Sequence, residues 1–144
     1  MSIIRKMESR DVPVVHQYGM LERRFAISES MPGFWTEQQL YRWLEKESDV
    51  LLVAEVQSEI AGFMFSSLNE ETGKAQLENL FVKEDYRGKG IGIILIEDSL
   101  KRLEEKGSTY YVSLIEPDNE IAMSLFEYFG FRRGKVMLWM DKTS

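Results

Sequence analysis

Leu77-Glu78-Asn79-Leu80-Phe81-Val82-Lys83-Glu84-Asp85-Tyr86-Arg87-Gly88-Lys89-Gly90-Ile91-Gly92 runs from apolar residues, through an acidic turn, into a loop with glycine at alternate positions 88, 90 and 92. The spacing predicts a strand, an anion-binding loop and a helix. Glycines leave the backbone unobstructed, so successive N–H groups can turn towards an anion, and the positive end of the following helix adds to the attraction. Two familiar phosphate loops are excluded. There is no Gly-x-x-x-x-Gly-Lys-Ser/Thr, and Gly-x-Gly-x-x-Gly fails because Ile93 stands at the third glycine position.

Working outward, β-rich runs at Val50–Val56 and Ile60–Leu68, linked by Gln57-Ser58-Glu59, read as an antiparallel hairpin. Gly62 marks a possible bulge. Asn69 to Gly73 turns the chain into a predicted strand Ala75–Val82. Downstream, Ile93, Ile96, Leu100 and Leu103 recur at helical spacing, and Gly107 follows as a C-terminal cap. Thr109–Ile115 reads as a central strand. A helix capped by Asp118 or Asn119 carries Ile121, Ala122, Leu125, Phe126 and Phe129 on one face, and Phe131 to Met140 reads as one or two final strands.

Upstream, Ser2–Met7 is a candidate first strand, and Pro13 opens a helix bearing Val12, Val15, Met20 and Leu21. Residues 26–35 form a loop rich in large apolar side chains. Thr36-Glu37-Gln38-Gln39 is a capping box, with Trp35 and Leu40 placed as a hydrophobic staple, so a helix is expected from about 37 to 47. Phe34 and Trp35 either pack the helix entry or line an acceptor entrance. The order is β-α-α-β-β-β-α-β-α-β(-β).

With 144 residues the sequence suits one domain, 1–144. Zero cysteines exclude a cysteine nucleophile and thiolate metal sites, and one histidine, His16, disfavours a zinc site or a Ser-His-Asp triad. No metal is expected. A net charge of -6 argues against broad nucleic-acid binding and suits cationic amine substrates. With no long apolar run and no signal-peptide core, no membrane association is expected, and a cytoplasmic location is.

Arg87-Gly88-Lys89-Gly90-Ile91-Gly92 matches Arg/Gln-x-x-Gly-x-Gly/Ala, and Asn119-x-x-Ala122-x-x-x-Phe126-x-x-x-Gly130-Phe131 is similar to a second signature downstream. Both resemble the GNAT family of N-acetyltransferases. The resemblance implies an α/β (α+β) fold with a mixed, mostly antiparallel sheet of six to seven strands flanked by about four helices. It implies acetyl-CoA as co-substrate, with Leu80, Phe81 and Val82 facing the pantetheine, Arg87 to Gly92 holding the pyrophosphate, and Asn119 and Phe126 completing the cofactor site. The Val82 N–H would stabilise the oxyanion.

Leu77-Glu78-Asn79-Leu80-Phe81-Val82 also resembles the corresponding strand of spermidine/spermine and thialysine acetyltransferases, which makes Glu78 the candidate base towards the acceptor amine. A carboxylate among apolar residues has its charged form disfavoured and gains basicity. Phe126 departs from the pattern, because it stands where the family has a tyrosine that protonates the leaving thiolate. Leu114 replaces the glutamate usual in ribosomal-protein N-terminal acetyltransferases. The expected activity is transfer to a primary amine of a small molecule, polyamine- or amino-acid-like. The alternatives are a protein or peptide acceptor, or a catalytically weak acyl-CoA-binding module. A homodimer is compatible with the family.

Overall fold

A computed structural model describes residues 2–26, 28–29, 31 and 33–144. Six strands form one sheet: β1 (Ser2–Lys6), β2 (Val50–Val56), β3 (Glu59–Asn69), β4 (Lys74–Leu77), β5 (Phe81–Val82) and β6 (Tyr110–Val112). Four helices flank it: α1 (Val12–Leu21), α2 (Glu37–Trp43), α3 (Ile91–Glu105) and α4 (Glu120–Tyr128). The strand order is β1-β2-β3-β4-β6, with β5 paired to β3 beyond the end of β4. All pairings are antiparallel except β4 with β6. This is the mixed, mostly antiparallel sheet and four-helix count expected.

Alternation along the central strands divides the core between two faces. Leu52 and Met64 pack with Leu95, Ile96 and Leu103 of α3 and Phe126 of α4. Their neighbours Val53, Phe63 and Phe65 point the other way, onto Val12 and Val15 of α1 and Leu40 of α2. Each fully buried Leu, Val or Phe contributes about 1.5–3 kcal/mol relative to exposure. On the second face the aromatic rings form a continuous chain. Phe63 stacks on Phe65 at 5.0 Å and on Phe81 at 5.2 Å, and Trp43 meets Phe65 edge-on at 5.3 Å.

Four sequence expectations are corrected. Thr109–Ile115, expected as a central strand, is a strand only over Tyr110–Val112 and stands last in the sheet order, bonded to β4 alone. The single strand Ala75–Val82 is broken: β4 stops at Leu77 and β5 resumes at Phe81, with residues 78–80 outside the ladder. The helix expected to 47 ends at Trp43. Its last turn tightens into i→i+3 bonds from Glu45 to Arg42 and from Lys46 to Trp43, which turn the chain towards Asp49. Phe131 to Met140 forms no strand. Phe131 rests edge-on against Phe126, Arg133 pairs with Glu120 and Glu127 on α4, and the apolar run beyond is exposed. Within the predicted 26–35 loop, Ile27, Ser30 and Pro32 lie outside the described residues.

Gly62 sits beside a bulge, since Ala54 pairs with Gly62 while Glu55 pairs with Ile60. A Cβ at Gly62 would lie 2.5 Å from the Phe81 carbonyl oxygen. Only glycine lets β5 dock here, and the docking of β5 positions everything that follows.

Candidate active site

The sheet forks below Leu77. β4 pairs with both β3 and β6, while β5 continues along β3, shifted by one residue in register, and pairs with it alone. Ser113 Oγ donates to the Leu77 carbonyl at 3.0 Å, which closes the base of the fork. Lys83 N donates to Ala61 O at 2.8 Å, so the adjoining pair Gly62 and Val82 is of the non-hydrogen-bonded kind, and the Val82 amide and carbonyl turn away from β3. The carbonyl accepts from Arg87 Nε at 2.8 Å. The Val82 N–H points into the opening.

Just past β5 the chain makes one 3₁₀ turn, Glu84–Tyr86, and enters the glycine loop. Gly88 and Gly90 take φ of +76° and +83°, the left-handed region that glycine occupies without strain, and Gly90 is the N-cap of α3. Nothing lies within 4 Å of where a Cβ would stand on either. The first intrahelical bond is Ile94 N to Gly90 O, which leaves the first-turn amides ahead of it open to an anion. Ile91 is buried and anchors the helix start, and Lys89 lies over the Tyr86 ring. Gly92 faces Leu125 of α4. The loop and the fork therefore lie at the two ends of one short segment, 82–90.

On the other side of the break in β4–β5, Glu78 lines a cleft of about 420 Å3 with Trp35, Gln39, Arg42, Trp43, Lys46, Asp49 and Ser67. The Glu78 backbone N–H is fixed by the Phe65 carbonyl at 2.8 Å. Its half-buried carboxylate has no hydrogen-bond partner among the described residues. Burial, and then the charge of Asp49, push its pKa above the ordinary carboxylate value.

The two tryptophans meet edge-on at 4.9 Å and are each held by a polar handle. Trp35 Nε1 donates to Asn79 Oδ1 at 3.0 Å, and His16 Nδ1 donates to the Trp35 carbonyl at 2.9 Å. Trp43 Nε1 donates to Asp49 Oδ2 at 2.7 Å. A larger depression, about 620 Å3 between residues 6–10 and 44–51, shares Lys46 and Asp49 with this cleft but contains no residue of the fork.

Of the residues singled out from sequence, Glu78, Trp35, Val82 and Arg87 to Gly92 surround the fork and its two flanks. Leu80 is partly buried between them. Phe81 is buried and stacked on Phe63, so it offers the opening its backbone rather than its ring. Phe34 is not at an entrance. It is 7% exposed, stacked on Phe25, and its ring occupies the space a side chain on Gly19 would need, so helix-entry packing is its role. Phe126 is also a core residue, and it leaves a ligand little surface.

Asn119 Oδ1 accepts from Ala122 N at 3.2 Å and caps α4, which leaves its amide nitrogen for another acceptor. Trp43 and Asp49 were not legible as cleft residues. The available signal was a tryptophan six residues before an aspartate at the head of a strand that opens with five apolar residues, an aspartate that must be buried and therefore needs a donor.

A forked sheet feeding a left-handed glycine loop and a helix N-terminus has a counterpart among known proteins. The family model described as "Acetyltransferase (GNAT) family" matches residues 18–131. The chain belongs to the GNAT acetyltransferase family. Acetyltransferase SG1711 of Sodalis glossinidius is 30% identical over 106 residues, covering 74% of this chain and 73% of that protein. Mycothiol acetyltransferase of Corynebacterium aurimucosum is 33% identical over 111 residues, 69% of this chain but only 36% of that longer protein.

Among solved structures, the PaiA N-acetyltransferase of Thermoplasma acidophilum, in complex with coenzyme A, superposes with a TM-score of 0.81. It is 20% identical, with 95% of this chain and 93% of that one covered. At that identity the GNAT likeness is one of fold.

Proposed function

We propose that this GNAT protein moves an acetyl group from acetyl-CoA directly to a primary amine of a small molecule, with Glu78 as the general base. The observation that carries the reading is the unpaired Glu78 carboxylate. It is half-buried, raised in pKa and set in a tryptophan-walled cleft, four residues from an inward-facing Val82 N–H. The residues present suit the cofactor. The glycine loop and first turn of α3 offer amides to a pyrophosphate, the fork offers the Val82 N–H, and the spaces beside Gly88 and Gly90 are open. The coenzyme A bound to the PaiA structure supports the same use of the fold.

Acetyl-CoA supplies the activated acyl carbon. An aliphatic amine arrives as an ammonium ion, which the carboxylates of Glu78 and Asp49 and the faces of Trp35 and Trp43 attract. Glu78 accepts the proton, directly or through one water, and frees the lone pair that forms the new C–N bond. The Val82 N–H donates to the oxygen that gains charge as the carbonyl carbon becomes tetrahedral, a contact of about 3 kcal/mol. The C–S bond then breaks, the nitrogen's second proton passes to solvent, Glu78 releases the first to solvent, and the thiolate takes its proton from water. No side chain at position 126 has a proton to give.

The carboxylates of Glu78 and Asp49 and the tryptophan faces beside them support a small cationic acceptor. The test is release of free thiol from acetyl-CoA against polyamines, amino acids, aminoglycosides and short peptides. Release with a small amine supports the reading, and release with peptides alone overturns it. Coenzyme A binding without release across the panel favours the weak acyl-CoA-binding module that Phe126 suggests.

A further inference from the structure

The cleft beside Glu78 has two chemically distinct walls. Gln39 stands three and four residues before Arg42 and Trp43, and Lys46 follows Trp43 by three, so these side chains form one stripe along α2 and the tight turn after it. Ser67 and Glu78 line the cleft from the sheet. Four of the lining side chains are charged, two of each sign: Arg42 and Lys46, Asp49 and Glu78. Asp49 and Lys46 answer each other. Lys46 Nζ lies 3.8 Å from Asp49 Oδ2, and Asp49 also accepts from Trp43 Nε1 and the Leu68 N–H. Glu78 and Arg42 are left over. Among the described residues, neither the Glu78 carboxylate nor the exposed Arg42 guanidinium has a hydrogen-bond or ion-pair partner. A second donor stands next to Arg42, because Gln39 Oε1 accepts from the Thr36 N–H at 2.9 Å, which fixes the amide and leaves Nε2 to donate elsewhere.

One free anion and one free cation in the same cleft are complementary to a ligand that carries both charges. A diamine would bring its second ammonium against Arg42, a like-charge contact that opposes binding. A phosphate dianion would exceed the one guanidinium left over, whereas a carboxylate matches that group's two parallel N–H donors. We infer that the acceptor amine carries a carboxylate, and that Arg42, with Gln39 Nε2, binds this carboxylate while Glu78 meets the ammonium. The inference rests on the transfer reading above and narrows its acceptor to zwitterionic amino acids. Arg42 selects the acceptor and takes no part in making or breaking bonds.

The probes are glycine, β-alanine, γ-aminobutyrate and ε-aminocaproate, each compared with the diamine and the n-alkylamine of equal carbon number. Thiol release from acetyl-CoA gives kcat and KM for each, and calorimetry on protein saturated with coenzyme A gives affinity without turnover. At least one amino acid should exceed its matched diamine and alkylamine by at least about tenfold in kcat/KM, as a charge-assisted hydrogen-bonded pair provides. Arg42 is exposed, so its substitution leaves the core intact. Arg42→Gln should lower kcat/KM for that amino acid about tenfold, through KM rather than kcat. Arg42→Glu should turn the preference to the diamine. A wild-type chain that prefers diamines or alkylamines overturns the inference and leaves the transfer reading standing, as does an Arg42→Glu chain with the wild-type preference. Amino acids that bind the coenzyme A complex, release no thiol and lose affinity in Arg42→Gln support the inference and overturn the transfer reading. Binding by none of the probes overturns the inference.

Discussion

Glu78 and Asp49 face the same cleft, and only one of them is satisfied. Asp49 accepts from Trp43 Nε1 at 2.7 Å and from the Leu68 N–H at 2.9 Å, whereas the Glu78 carboxylate accepts from nothing among the described residues. A buried carboxylate with fixed donors is a structural anion. One left without them, beside a second negative charge, is poised to take a proton.

Glu78→Gln should lower turnover about 10²- to 10³-fold, the usual contribution of a positioned base, and leave coenzyme A affinity within about twofold. Steady-state kinetics and calorimetry would separate the two. In the wild type the rate should rise with pH as Glu78 deprotonates, with a midpoint above the ordinary 4.5. Asp49→Asn removes the neighbouring charge, so the midpoint should move to lower pH.

The same group gives a sign for stability. Its folded pKa is raised, so the folded state holds the proton more tightly than the unfolded chain. Stability should therefore fall as pH rises from about 4.5 through the folded value. Glu78→Gln should flatten that limb in urea denaturation series collected between pH 4 and 8.

Gly62→Ala should destabilise by about 1–3 kcal/mol, because its methyl would meet the Phe81 carbonyl, a backbone atom that cannot swing aside. The variant displaces β5 and with it Val82, so coenzyme A affinity should fall together with denaturant stability.

Gly90→Ala separates those two effects. Nothing crowds position 90, so the cost to folding is that of holding alanine at φ +83°, about 1–2 kcal/mol. A methyl group beside the first-turn amides of α3 should weaken coenzyme A by at least about tenfold, read by calorimetry at a temperature where the variant is fully folded.

On the other side of the sheet, Arg5 joins Asp11 at 2.7 Å and Glu55 at 2.9 Å, with Asp11 5% exposed. Burial raises the Asp11 pKa, but the hydrogen bonds from Arg5 and the Glu8 backbone outweigh it and leave the carboxyl below its ordinary 3.8. That stabilisation is fully present above about 3.8 and is lost as pH falls through the folded value. Asp11→Asn should cost about 3 kcal/mol at neutral pH, measured by urea unfolding, and should soften the acid limb of the wild-type profile.

The hairpin β2–β3, the glycine loop and helices α3 and α4 were readable because local signals agree there. Val50–Val56 is continuous and β-rich, Gly107 and Gly130 stop helices at φ of +98° and +91°, and Asn119 caps α4 as its position suggests. The break at residues 78–80 was not readable. Leu77 to Val82 is a good strand by composition, and it is interrupted where its register on β3 shifts by one residue between Leu77 and Phe81, next to the close approach of Phe81 to Gly62. Phe34 and Trp35 show the same limit. Adjacent aromatics at one helix entry diverge, one into the core through the gap at Gly19 and one into the cleft through its bond to Asn79.

The sequence by itself determined the GNAT signatures and the identity of the loop, because consecutive residues supply those backbone groups and a short spacing suffices to name them. Tertiary structure alone decided that Glu78 stands unpaired beside Asp49 and two tryptophans, and that the Val82 N–H looks into a fork. Those relations join residues tens of positions apart. They arise from how strands divide at Leu77 and how α2 leans on Phe65, neither of which is encoded in any local run of the chain.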